Sequence, residues 1–292
     1  MSTDHPPIAW LFSMIRSGSS IAAYAAAAPF GGVVADEIFG PWVRTGPHYH
    51  FPPEQRVVTE LFRTSAGRIT PKIQRAAETV FEKLAYLAHG EAGIPVCAPG
   101  DEAVFSRMPP GGRRIVVKMP HDHPAPAEVA RIWPIHPHAF LLRNPIDRLS
   151  SIILRGMLPA GSSGGPGTSI TANWDLPQLR QFCQRWLDAR DQGRSLVYDD
   201  IKRDPARFFG AMFRAWEWPA DKETVAKATA YARSNYHAMS AQKDAGADTA
   251  RPASEMQRVA PREAIELYLS DTTVVTAMRE AGWATDPGAY LF

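Results

Sequence analysis

Cys97 and Cys183 are the only cysteines in 292 residues, so no disulfide framework holds this chain, and a fold of this length needs none. A reducing compartment fits. Net charge is nearly absent as well. Lys and Arg number 32 against 30 Asp and Glu, so no overall field draws the chain onto nucleic acid or anionic lipid, and anion binding must come from local groups. No apolar run reaches the ~18 residues that span a bilayer. Met1-Ser2-Thr3-Asp4-His5-Pro6-Pro7 has no basic stretch leading into an apolar one, and Arg16 breaks the apolar run nearby. The expectation is a cytoplasmic protein without membrane insertion and without a nucleic-acid partner. Also missing are the Walker pattern G-x-x-x-x-G-K-[ST], the zinc pattern H-E-x-x-H, Cys-rich ligand spacing and any internal repeat.

What is present is a globular composition, 45% hydrophobic with 8 Trp and 13 Phe, enough to bury one large core, and a single domain over residues 1–292 is expected. Ile8 to Met14 reads as a strand, Arg16-Ser17-Gly18-Ser19-Ser20 as a turn, and alanine-rich Ile21 to Ala28 as a helix. Further strands are expected at Val33-Val34-Ala35, Ile115-Val116-Val117, Ala139 to Leu142 and Ser195 to Tyr198. Thr70-Pro71 caps a helix running to about His89-Gly90, Pro145 starts another, Asp175 caps an amphipathic one, and Asp204-Pro205 opens one rich in Phe. The Gly/Ser/Pro run Gly161 to Gly167 and the small polar stretch Ser240 to Ser254 read as mobile loops, and the rest of the C-terminal part as helical. Strands alternating with helices give an α/β fold with a mostly parallel sheet covered on both faces, and ligands of such folds bind beyond the carboxyl ends of the strands.

Two of those strand ends carry chemistry. Arg16-Ser17-Gly18-Ser19-Ser20 has the parts of a phosphate cradle: a glycine that lets backbone approach, successive N–H groups, three hydroxyls and the positive end of a helix. A serine-rich cap beside a surface arginine would look the same. After the fourth strand, Arg143-Asn144-Pro145-Ile146-Asp147-Arg148-Leu149-Ser150-Ser151 puts a forked cationic donor at the strand end and a hydroxyl one helical stretch later, able to grip one phosphate together. Pairing of Arg143 with Asp147 is the plain alternative.

Together the two motifs resemble those of the sulfotransferases that use 3′-phosphoadenosine 5′-phosphosulfate (PAPS). The first is similar to that family's 5′-phosphosulfate loop, P-[KR]-[ST]-G-[ST]-[ST], and the second to its 3′-phosphate motif, R-[DN]-P-x-D-x-x-x-S. A third, Tyr198-Asp199-Asp200-Ile201-Lys202-Arg203-Asp204-Pro205, resembles the late Y-E-D-L-x-x-D-P turn, and the resemblance spans about Ile8 to Trp218. Ile15 stands where many relatives have Pro, and Asp199 where they have Glu. The resemblance implies a P-loop-type three-layer α/β/α fold and transfer of a sulfuryl group to a hydroxyl or amine of a small molecule, with 3′,5′-adenosine bisphosphate as product and no metal required. It assigns Arg16 to the charge building on the leaving phosphate. Ser17, Gly18, Ser19 and Ser20 would hold the 5′ end, Arg143 and Ser151 the 3′-phosphate, and Tyr198 would add to the nucleotide site.

An attacking hydroxyl needs a general base. Glu37, directly after the second strand, and His121, in Lys118-Met119-Pro120-His121, are the two candidates, while Lys118 would contact the sulfate or be a solvated strand-end charge. Near the C-terminus, Arg258 and Arg262 would close over the nucleotide or face solvent on a helix. The pairs His48/His50, His121/His123 and His136/His138 have the alternation of metal ligands on a strand but also the composition of plain His-Pro loops. A non-catalytic nucleotide-binding module and a P-loop phosphotransferase are the competing functions, a homodimer is left open, and the acceptor is not named by any motif.

Overall fold

β1 (Ile8–Ser13) is buried along its whole length, as a central strand of a parallel sheet must be. In this computed structural model, residues 8–36, 70–73, 75–76, 114–119, 137–154, 169–244 and 260–290 are described. β1 pairs in parallel with β3 (Ile115–Met119), Ile8 opposite Ile115 and Phe12 opposite Met119. On its other side it pairs with β4 (His138–Leu142), Trp10 opposite His138. β2 (Val33–Asp36) adds outside β3, and β5 (Ser195–Val197) outside β4. The order is β2-β3-β1-β4-β5. Every pairing is parallel, so Ser13, Asp36, Met119, Leu142 and Val197 all end on one edge of the sheet.

The alternation of side chains along the strands divides the core in two. Ile8, Trp10 and Phe12 join Ile115, Val117, Phe140 and Leu142 on one face, against helices α2 (Pro145–Leu154), α3 (Ser169–Asp188), α7 (Arg262–Ser270) and α8 (Thr272–Glu280). Ala9, Leu11, Val116, Ala139 and Leu141 form the other, against α1 (Ser19–Ala27), α5 (Pro205–Ala215) and α6 (Lys222–Asp244). A short α4 (Asp200–Arg203) links β5 to α5. This is the three-layer α/β/α arrangement. The buried face of α1 is alanine at Ala22, Ala23, Ala25, Ala26 and Ala27, side chains small enough to lay the helix close on the sheet. Its N-terminus is thereby set immediately beyond β1.

The capping signals act where expected at two helices. The Ile73 N–H donates to Thr70 Oγ1 at 3.3 Å, and Asp204 Oδ1 accepts from the Arg207 N–H at 3.0 Å ahead of Pro205. Two expectations fail. Asp175 does not cap a helix: α3 begins at Ser169, and Asp175 and Pro177 both lie inside it. The Asp175 side chain is buried and pairs with Arg148, an attraction that overrides its local preference for a cap. Likewise Ser240 to Asp244 are the last residues of α6, not loop. The helix beyond Ala76, the Gly161 to Gly167 run, residues 245–254 and Cys97 lie outside the described residues.

Candidate functional site

The turn after β1 is sharp because two residues in it take left-handed backbone. Arg16 has φ 64° and Gly18 φ 76°. For glycine that conformation is free; for arginine it is strained, and such strain concentrates at functional loops. The Ser17 N–H donates to Met14 O at 3.2 Å, closing the turn. Glycine is required at 18 for a second reason. A Cβ there would lie 1.9 Å from Tyr198 Cε2, so the Tyr198 ring rests directly on the loop backbone. α1 then starts at Ser19, its positive end facing the same turn.

Side chains from three strand ends close on this loop. Arg16 Nε donates to Ser151 Oγ at 3.2 Å, although 135 residues separate them. Arg143 Nη1 donates to Arg16 O at 2.7 Å, and its guanidinium lies 5.1 Å from the Tyr198 ring centroid. Lys202 approaches the same ring at 5.9 Å. From the end of β3, Lys118 Nζ donates to Ser20 Oγ at 3.1 Å, and Lys118 is buried. Arg16, Ser17, Gly18, Ser19, Ser20, Lys118, Arg143, Ser151 and Tyr198 are thus assembled around one turn. Ser151 contacts Arg16, and Arg143 is oriented by Arg16 O and Tyr198, so the serine and Arg143 meet through Arg16.

The Ser17 hydroxyl is the most informative single group. It is 1% exposed, and its Oγ has no hydrogen-bond partner among the described residues. Ser13 Oγ, at the end of β1, shares that condition. A buried hydroxyl without a partner is costly, by roughly 1–3 kcal/mol, and such groups in a cationic turn at a helix N-terminus suit an anion that completes them. The site therefore has the donors that a phosphate or phosphosulfate requires.

Asn144 forms the hinge of the second loop. Its Oδ1 accepts from the Ile146 N–H at 3.0 Å and the Asp147 N–H at 3.3 Å, capping α2. Its Nδ2 donates to Tyr290 Oη at 3.0 Å, and that hydroxyl donates to Ala284 O at 2.8 Å. Trp283 Nε1 donates to Asp199 Oδ2 at 2.6 Å, and the Ala260 N–H to Ser150 Oγ at 3.3 Å. Deeper in α2, Arg148 pairs with Asp175, which also accepts from Tyr268 Oη at 2.5 Å. Burial pulls the Arg148 pKa down, and Asp175, Tyr268 and Cys183 together more than offset it, so the guanidinium's pKa lies above its ordinary value. Sequence reasoning missed these contacts. Asn144 was legible as part of a motif, but Tyr290, Trp283 and Tyr268 follow no local pattern.

The remaining candidates divide plainly. Glu37, His121 and Arg258 lie outside the described residues, as do His48, His50, His123 and His136. His138 stacks edge-on against Phe12 and Phe140, with centroids 6.1 and 5.6 Å away. Arg262 is exposed and pairs with Glu266 at 2.7 Å, the solvated helix face. Among the described residues no cluster of His, Cys, Asp and Glu is arranged to hold a metal ion, and no helix is long and apolar enough to cross a membrane.

The fold and this turn define a P-loop-type α/β/α protein whose loop after β1 lacks the Walker lysine. No protein-family model matches the chain, and no curated protein matches it. Its fold is similar to those of three bacterial sulfotransferases of known structure. The sulfotransferase domain of the Synechococcus PCC 7002 olefin synthase is 17% identical, with 91% of this chain and 96% of that one covered and a TM-score of 0.40. A sulfotransferase from Alicyclobacillus acidocaldarius is 14% identical over 88% of this chain and 100% of its own, at a TM-score of 0.42. One from Mycobacterium avium is 14% identical over 95% of this chain and 76% of its own, at 0.44.

Proposed function

We propose that this chain is a cytoplasmic sulfotransferase that uses PAPS as donor and a small-molecule hydroxyl or amine as acceptor. The observation that carries the reading is the contact of Arg16 Nε with Ser151 Oγ at 3.2 Å. It joins the two motifs that resemble the 5′-phosphosulfate and 3′-phosphate loops of that family, beside a Ser17 hydroxyl that is buried and unpartnered. The donor supplies the sulfuryl group and is released as 3′,5′-adenosine bisphosphate. Ser17 Oγ, Ser19, Ser20 and the N-terminal N–H groups of α1 bind its 5′ end. Arg143 and Ser151 bind the 3′-phosphate, and Tyr198 gives the nucleotide an aromatic surface. Arg16 and Lys118 stabilise the negative charge that grows on the leaving phosphate, the kind of preorganised electrostatic help that dominates group transfer of this type. The acceptor's proton passes to Glu37 or His121, which follow β2 and β3 in the chain.

The direct test is a screen in which the purified protein and PAPS are incubated with metabolite extracts and products are read by mass spectrometry. A product heavier than its precursor by one sulfate, formed only when PAPS and protein are both present, is expected. Magnesium-dependent consumption of ATP without any sulfated product would replace this reading with that of a phosphotransferase.

A further inference from the structure

The last described turn of the chain reaches back to the loop that carries Arg143. Tyr290 is buried, 4% exposed, and its hydroxyl accepts from Asn144 Nδ2 at 3.0 Å while donating to Ala284 O at 2.8 Å. At its other end the same amide caps α2 through Oδ1, accepting from the Ile146 and Asp147 N–H groups. An amide held at both ends has one orientation: its oxygen must face the helix and its nitrogen the phenol. Arg143 is the preceding residue and Ser151 lies two turns along the capped helix. The cap therefore sets where the guanidinium leaves β4 and where the serine hydroxyl stands.

We infer that Tyr290 is a positioning residue for the 3′-phosphate, acting through the Asn144 amide on Arg143 and Ser151; this rests on the proposed PAPS reading. Tyr290 is 146 residues from Asn144, and it sits on a C-terminal segment that is fastened to the nucleotide loops elsewhere too, by Trp283 to Asp199 at 2.6 Å and Ala260 to Ser150 at 3.3 Å. The C-terminal segment thus holds the second loop in its phosphate-gripping form. Without the phenol, Nδ2 is left as a buried donor without its partner, and the amide gains reason to turn.

The test compares 3′,5′-adenosine bisphosphate with adenosine 5′-monophosphate, which lacks the 3′-phosphate, by calorimetry on the full chain. Wild type should prefer the bisphosphate, and Tyr290→Phe should lose about tenfold of that preference, the factor carried by ~1.4 kcal/mol, while binding the monophosphate unchanged. Equal preference in both proteins, or equal weakening of both ligands, would overturn the inference. A second readout needs no variant. Because coupling is reciprocal, the bisphosphate should slow hydrogen exchange of residues 284–290 in wild type and the monophosphate should not; identical protection by both would also overturn it. Absence of any bisphosphate binding by wild type is a different result, which removes the PAPS reading and this inference with it.

Discussion

Gly18 is the residue at which the site's geometry is least forgiving. Its φ of 76° and the Tyr198 ring, 1.9 Å from where a Cβ would stand, act together, since left-handed backbone costs an L-residue roughly 1–2 kcal/mol and the ring must also be displaced. Gly18→Ala should therefore lower the melting temperature by several degrees and weaken 3′,5′-adenosine bisphosphate at least tenfold, read by differential scanning fluorimetry and calorimetry. An unaltered melt and affinity would show that the ring does not rest on the loop. Arg148 presents the opposite case, a charged side chain 1% exposed whose value lies in its partner. Replacing Arg148 by Met alone strands the Asp175 carboxylate in the core and should cost about 3–5 kcal/mol in urea unfolding. Replacing both, Arg148→Met with Asp175→Leu, should recover part of that loss, because an apolar pair of similar volume avoids the desolvation penalty while the buried Tyr268 hydroxyl loses its carboxylate acceptor.

At the scale of elements, what could be seen in the sequence was what is encoded locally. The buried runs of β1, β3 and β4, the alanine face of α1 and the Asp204-Pro205 start of α5 all follow from periodicity and capping chemistry within a few residues. The loops after β1 and β4 were visible for the same reason: each is a short pattern at a strand end. Asp175 shows the limit. An acid followed by Pro177 and an amphipathic stretch has the look of a helix start, yet the helix already runs from Ser169, because Arg148 on α2 supplies a partner that no local pattern announces. The cap of α2 shows it again. Pro145 was readable as a helix start and Asn144 as part of a motif, but the cap that Asn144 forms is held by Tyr290 at the far end of the chain. Contacts of that kind decide how firmly a loop is held, and they depend on packing between layers.

For the molecule as a whole, the two cores place the acid groups with the most altered titration on the same side of the sheet. Burial pushes the Cys183 thiol from 9.0 up to about 12, and burial together with the Asp175 carboxylate raises the Tyr268 hydroxyl well above 10.0. Both groups are neutral when folded and ionise more easily when unfolded. Stability is therefore full below pH 9.0 and falls as the pH rises from there toward about 12, by up to ~1.4 kcal/mol per pH unit for each group once the unfolded chain ionises it. Urea unfolding across that range should show the decline, and a flat profile would contradict the burial of these side chains.

The five parallel strands among the described residues bring their carboxyl ends to one edge, and the donor site proposed to read both ends of PAPS stands on the loops there. Calorimetric titration of the full chain with 3′,5′-adenosine bisphosphate tests it most directly. Saturable binding is expected that PAPS competes away, that needs no added metal, and that Arg16→Ala and Arg143→Ala each weaken. No detectable binding at millimolar nucleotide, or binding indifferent to both arginines, would contradict it.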